Sequence, residues 1–507
     1  MRYFFLPISC TLFICSSVLH AQQSWVQETL ARMSLEEKIA QLVFERADGG
    51  YLSGDDDRWR HYERLVKERK IGGFAIFAGD VYEYALQLNK LQALSDIPLL
   101  IGADFEFGVA MRVRRATQFP RAMLLGATRN PVYAYEMGNA IGKEARALGV
   151  HQVYAPVVDI NNNPMNPVIN TRSFGENAEL VASMSGEFIR GLQEGGVLAT
   201  AKHFPGHGDT DVDSHLDLPV LPFKKERLDT LELAGFRSSV EAGVGSMMIA
   251  HLAVPALDSV KGMPATLSYP IVTDVLQNQL GFRGLIVTDA MEMRGVTKVY
   301  STAEAAVRAI KAGSDLVLLP PDIDVALDAI IGAVRRGEIS EERINHSVRK
   351  VLGVKQSLGL VKNRLVDLSE VASVVGNTGF RRLSKQIARD GITVVKNDNN
   401  LLPLQQNSIR KITGIAVGDV EDPSMGGYFR SLVRNRGASF EDYRIDQRTN
   451  KIEYDSILTR VATGDVILLH MYVQTRSAQM TGFFQPQQTA FLDTVMKLGK
   501  PTIVVSF

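Results

Sequence analysis

Short apolar runs rich in branched residues alternate, through the first two-thirds of the chain, with longer amphipathic stretches. The runs 41–44, 73–77, 99–104, 151–159, 197–203, 247–253, 285–289 and 315–319 read as strands, apolar enough to be buried on both faces. Each intervening segment is long enough for a helix, and 230–241 and 303–312 space their apolar residues at helical period. Eight strands with helical crossovers within about 365 residues predict a (β/α)8 barrel, because parallel strands need such crossovers. An open doubly wound sheet satisfies the same alternation, so the count favours the barrel without deciding it. The pattern restarts beyond: 391–396, 412–417, 466–472 and 502–507 read as strands of a second α/β domain. The division expected is a barrel over 24–362, a linker over 363–380 and the second domain over 381–507. The chain stops inside its last predicted strand, so that domain is expected to be incomplete at its C-terminus.

Residues 1–21 carry one positive charge, an apolar stretch and a small final residue, Ala21, the pattern of a secretory signal peptide. Pro7 and several serines interrupt the stretch, which argues against a permanent membrane anchor. Both cysteines, Cys10 and Cys15, fall inside it and lack a convincing lipid-attachment context. The mature chain then has no disulfide and no thiol nucleophile, and the expected location is periplasmic or secreted. Lys+Arg and Asp+Glu balance at 56 each, which gives no electrostatic case for a nucleic-acid partner.

Candidate chemistry gathers at the strand ends. Asp104, Asp159, Lys202, His203, His251 and Asp289 all lie at or near the end of an apolar run, and a barrel collects its active site at that face. The densest stretch is Lys202-His-Phe-Pro-Gly-His-Gly-Asp-Thr-Asp-Val-Asp-Ser-His215, with three of the nine histidines of the chain. Such a cluster serves proton transfer, metal ligation or loop structuring. Gly206 and Gly208 suggest a flexible loop beyond the strand.

K-H-F-P-G-H-G with D-S-H downstream resembles the signature of β-N-acetylglucosaminidases in glycoside hydrolase family 3. Asn170-Thr-Arg-Ser-Phe-Gly-Glu176, Val287-Thr-Asp-Ala-Met-Glu-Met293 and the junction Val348–Leu360 with Gly391–Asn397 and Leu401–Leu404 extend the likeness from about residue 25 to the end. The resemblance implies a retaining exo-β-N-acetylglucosaminidase. Asp289 would be the nucleophile, and His215 the general acid and base, with Asp213 holding its imidazole. Asp104, Arg112, Arg172, Lys202 and His203 would bind the sugar. A GlcNAc-containing glycan or muropeptide is the implied partner, and no cofactor or metal is called for. The chain departs from the family at Asp104-Phe-Glu-Phe-Gly-Val-Ala-Met-Arg112, where a Q-E-G-G-R-type run is usual, although the Asp-to-Arg spacing survives. His207 and Asp159 read as loop-ordering residues and His251 as a satisfied core histidine. The rival readings are a family 3 β-glucosidase or β-xylosidase, a metal-dependent barrel hydrolase using His203, His207, Asp211, Asp213 and His215, and a non-catalytic glycan-binding protein.

Overall fold

The structure is a computed structural model and describes residues 25–404, 411–419, 421–434, 439–473 and 484–506. The expected signal peptide lies outside the described residues. The chain divides into two compact units, one running to Ile392 and the other from Thr393.

The first unit is the barrel. Its strands are β1 (Val43–Gly49), β2 (Gly73–Asp80), β3 (Leu100–Ala103), β4 (Gln152–Val153), β5 (Leu198–Phe204), β6 (Ser246–Ile249), β7 (Leu285–Thr288) and β8 (Val317–Leu318). Every pairing in the ring is parallel. β1 pairs with β8, and a bridge between Val287 and Leu316 brings β7 to the start of β8, so the sheet curls almost fully closed. Each of the eight apolar runs therefore overlaps one barrel strand. They read as continuous apolar runs because one face fills the barrel and the other meets the helices; Phe44, Phe74, Ile101, Val153, Ala199, Met247, Ile286 and Val317 are all buried. One interior layer is polar but satisfied, with Gln152 Nε2 donating to Thr200 Oγ1 (3.1 Å) and Ser246 Oγ (3.0 Å).

Two local expectations change. The helix read over 230–241 is two, Lys225–Thr230 and Ala234–Glu241. The break turns Glu232 inward, where it is buried and accepts from Arg227 (3.1 Å). The segment 363–380 is docked on the barrel instead of linking two bodies. Asn89 exchanges two hydrogen bonds with the Val366 backbone (2.8 and 2.7 Å), and Glu144 accepts from Gly376 N (2.6 Å). The helix Thr378–Asp390 also belongs to this unit, so the division falls twelve residues later than expected, after Ile392.

The second unit is a four-stranded parallel sheet ordered β10–β9–β11–β12, from β9 (Lys411–Gly418), β10 (Ser439–Ile445), β11 (Val466–Tyr472) and β12 (Thr502–Ser506). Three of these were expected. β10 was not, because it is an edge strand whose Glu441, Asp442 and Arg444 break up the apolar run. The run 391–396 forms no strand: Val394 and Val395 stand in water, and branched residues make a strand only where a ladder accepts them. Among the described residues no helix is long and apolar enough to cross a membrane.

Candidate active site

The C-terminal ends of β3, β5 and β7 and the loops after β4 and β5 supply the site. Past β3, Asp104 accepts from Lys202 Nζ through Oδ1 (2.8 Å) and from Arg112 Nη2 through Oδ2 (2.8 Å). Glu106, two residues on, receives Lys202 Nζ at 2.9 Å and takes Arg172 in a two-pronged pair, Nη2 to Oε1 at 2.8 Å and Nε to Oε2 at 3.0 Å. Arg172 Nη2 also lies 3.2 Å from His203 Nε2. Three cations thus interleave with two carboxylates around one wall of the mouth. Burial alone would raise both acids, but Lys202 and Arg112 outweigh it at Asp104, and Arg172 and Lys202 outweigh it further at Glu106. Both remain ionised, and burial likewise fails to neutralise Lys202 because Asp104 and Glu106 hold its charge.

Asp159, fully buried after β4, organises the turn out of β5. Its Oδ2 takes the His203 backbone N–H (3.1 Å) and faces His203 Nδ1 (2.7 Å), while Oδ1 takes the His207 N–H (2.7 Å). His207 bonds Thr210 Oγ1 (2.8 Å) and Ser214 Oγ (3.0 Å) through its two ring nitrogens, and burial followed by His203 pushes its pKa down to about 4. Neutral and fully satisfied, it structures the loop. The glycines here serve packing. Gly206 takes φ +127°, and a Cβ on Gly208 would sit 1.8 Å from the Ile160 carbonyl oxygen. Asn162 to Asp209 (3.1 Å) and Asn163 to Asp211 (2.6 Å) fasten this loop to the one after β4. These bonds tie the loop to its neighbour at two points.

That loop ends in the pair Asp213 and His215. Asp213 is buried, and its Oδ1 accepts from the His215 N–H (2.8 Å) and faces His215 Nδ1 at 2.7 Å, while the imidazole is half in water. The bond to Asp213 raises the His215 pKa above its ordinary value; burial opposes this, and the charges of Asp213 and Asp289 add to it. Asp289 follows β7, held by its N–H to Ile249 O (2.9 Å) and by Ala290 N–H on its own Oδ1 (2.8 Å). Its burial favours the neutral acid, but His203, His251, the Ala290 amide and Lys202 outweigh that and bring its pKa to about 2. It is a carboxylate at any working pH.

The eight residues singled out in the sequence therefore fall into one interacting set. Asp104, Arg112, Arg172, Lys202 and His203 form the charged wall, Asp213 and His215 the proton pair, and the field of Asp289 reaches His215. Glu106 was missed, although its signal was present: three basic residues had been set against Asp104 alone, with a second carboxylate two positions away. His251 is buried and satisfied, Nδ1 at 2.7 Å from Thr266 Oγ1 and Nε2 at 2.9 Å from Ala290 O. Among the described residues no three His, Cys, Asp or Glu side chains converge as a metal-binding group.

The glycosyl hydrolase family 3 N-terminal domain model matches residues 34–354, which contain this whole site. The chain belongs to glycosyl hydrolase family 3. It is 35% identical over 376 residues to β-hexosaminidase A of Pseudoalteromonas piscicida, covering 68% of this chain and 62% of that relative's length. A β-N-acetylglucosaminidase/β-glucosidase of Cellulomonas fimi is 31% identical over 400 residues, 77% of this chain and 69% of the relative. The structure is similar to that of a family 3 β-N-acetylglucosaminidase from Paenibacillus sp. str. FPU-7, with a TM-score of 0.81 and 34% identity over 94% of this chain and 90% of the other. It is also similar to a β-glucoside phosphorylase, with a TM-score of 0.84 and 25% identity over 96% of this chain and 88% of the other. The barrel and the second parallel sheet seen here match the family 3 structure from Paenibacillus.

Proposed function

We propose that this family 3 chain is a retaining exo-β-N-acetylglucosaminidase that removes terminal β-linked GlcNAc. The observation that carries the reading is the meeting, at one barrel mouth, of an ionised Asp289 with an Asp213-bound histidine whose proton affinity responds to it. Asp289 attacks the anomeric carbon through Oδ2 as the bond to the leaving oxygen breaks, giving a glycosyl-enzyme. Asp213 fixes Nδ1–H toward itself, so Nε2 of His215 delivers the proton to the departing oxygen. The neutral imidazole then takes a proton from water, the hydroxyl attacks the same carbon, and Asp289 leaves with its charge restored. Asp104, Arg112, Arg172, Lys202 and His203 hold the sugar hydroxyls from the charged wall.

The N-acetyl preference is supported by the names of the Pseudoalteromonas and Paenibacillus relatives. A β-glucosidase reading stays as the second arm of the test, since the Cellulomonas relative is named for both activities. The leader-like segment 1–21 supports export, and export together with a GlcNAc preference makes peptidoglycan fragments the proposed substrate. Product analysis with wild type and Asp289→Asn on aryl GlcNAc and aryl glucoside, with and without phosphate, tests all of this. Release of β-configured GlcNAc by the wild type, abolished in Asp289→Asn, is expected. Inverted product, or turnover by Asp289→Asn, refutes the nucleophile. Phosphate-dependent formation of a sugar phosphate refutes hydrolysis, and faster cleavage of glucoside refutes the substrate.

A further inference from the structure

The turn that carries His215 is closed on itself. Asp213 O accepts from Leu216 N (2.9 Å) and Asp217 N (3.0 Å), so 213–217 forms one closed turn. It is held from outside by the segment that leaves Asp289. That segment is itself pinned to the barrel, with Met291 N on Leu318 O (2.9 Å) and the Ala290 carbonyl bonded to His251. It then enters the short helix Arg294–Thr297. There Gly295 N donates to Ser214 O (3.1 Å), the carbonyl next to His215, and Lys298 Nζ reaches Asp217 Oδ2 (2.6 Å). Gly295 also passes close to the turn. A Cβ there would lie 3.1 Å from Ser214 O, 3.3 Å from Asp217 O and 3.1 Å from His251 Cβ. Those two carbonyls flank His215 on either side.

We propose that Gly295 and Lys298 are positioning residues that set where His215 stands, tying the proton donor to the segment that fixes the nucleophile. The proposal rests on His215 being the general acid. Its physical basis is that His215 is half in water and its imidazole is bonded by Asp213, a residue of the same turn. Its placement must come from the backbone beneath it, and that backbone has two outside anchors on the Asp289 side as well as the His207–Ser214 bond on the inner side. A proton donor displaced by a fraction of an ångström loses much of its effect, because transfer needs hydrogen-bond reach to the leaving oxygen.

The test compares kcat/KM for two aryl N-acetyl-β-glucosaminides that differ only in the leaving group: 2,4-dinitrophenyl, which departs without a proton, and phenyl, which needs one. His215→Ala is the benchmark. Gly295→Ala must push Ser214 and Asp217 outward by a few tenths of an ångström, and about a tenfold loss on the phenyl substrate is expected. Lys298→Met removes an exposed ion pair and should cost about two- to fivefold on the same substrate. Both variants should stay within about twofold of wild type on the dinitrophenyl substrate, and Lys298→Arg should restore the phenyl rate. Equal losses on both substrates, or no loss on either, while His215→Ala still discriminates between them, overturns the proposal and leaves the acid assignment standing. If His215→Ala itself fails to discriminate, the acid assignment falls and the proposal with it. Gly295→Ala places the better helix former in the helix Arg294–Thr297, and Lys298 is at the surface, so both variants are expected to fold.

Discussion

Glu106→Gln isolates what the charged wall contributes, because it removes one charge and almost no volume. In the wild type the Glu106 carboxylate faces Arg172 twice and Lys202 once, all at 2.8–3.0 Å between heavy atoms, and the residue is 8% exposed. With the effective dielectric suited to buried protein sites, a charge pair at about 4 Å between charge centres is worth about 4 kcal/mol, so the two pairs gross about 8 kcal/mol. Against this stands a desolvation cost of several kcal/mol for the carboxylate, which glutamine no longer bears. The difference is about 3–5 kcal/mol, the usual cost of removing one partner from a buried ion pair. Lys202 keeps Asp104. Arg172 keeps hydrogen-bond contact with Val168 O (3.2 Å) and His203 and only the more distant charges of Asp104 and Asp159, so it becomes the least compensated charge.

Chemical denaturation followed by tryptophan emission measures this in the barrel alone, because both tryptophans of the chain, Trp25 and Trp59, pack against its core. Glu106→Gln should lower the unfolding free energy by about 3–5 kcal/mol and, by freeing Arg172 to shift toward the mouth, lower kcat/KM by about a hundredfold. The paired change Glu106→Leu with Arg172→Met should recover most of the stability and none of the activity. A stability loss below about 1 kcal/mol with kcat/KM within twofold of wild type refutes the reasoning, since it means the wall is solvated well enough for its charges to stand alone.

Activity should fall as pH rises through the pKa of His215, which lies above 6.5 and must be protonated for the first step; Asp213→Asn removes the group that raises it, so the basic limb of kcat/KM should move to lower pH. No acid limb from Asp289 is expected above pH 4, because its carboxyl titrates at about 2. Lys355 is fully buried, bonds Gln41 Oε1 (2.5 Å), and burial alone takes its pKa from 10.5 to about 7. Between pH 7 and 10.5 the unfolded chain therefore binds the proton that the folded chain lacks, and stability should rise with pH across that window, by up to roughly 5 kcal/mol. Lys355→Met should flatten the rise and add about 1–4 kcal/mol at pH 7, and an unchanged slope in denaturation titrations would rule Lys355 out as its source. Gly208→Ala would bring a methyl against the Ile160 carbonyl, so both thermal stability and turnover should drop; a variant that matches wild type in both shows that the 161–169 and 203–215 loops can part.

The barrel was legible because parallel strands buried on both faces leave continuous apolar runs, and eight of them could be counted. β10 was not, since an edge strand with one wet face has no such run, and its Phe440 and Ile445 are too sparse to announce it. The segment 363–380 looked like a linker because its anchors include single side chains, Asn89 and Glu144, that lie far away in sequence. At the site, residue types at strand ends were readable, while their pairing was not. Gly206 and Gly208 have the composition of a mobile loop, and only the Ile160 carbonyl shows that one of them is a close-packing requirement.

Glu106 shows why a charge count could have succeeded where motif reading did not. Arg112, Arg172 and Lys202 face one mouth, and buried cations persist only beside compensating anions. Asp104 cannot neutralise three of them, so a second buried carboxylate was required within reach. Asp159 does not supply it: both its oxygens are spent on the His203 and His207 turn. Asp213 and Asp289 do not either, since one holds the imidazole and the other must remain open to the sugar. Elimination leaves Glu106, and under the proposed function it would also let the wall hold hydroxyls well. Its donors and acceptors are fixed by one another before any sugar arrives, so little orientation remains to be lost on binding.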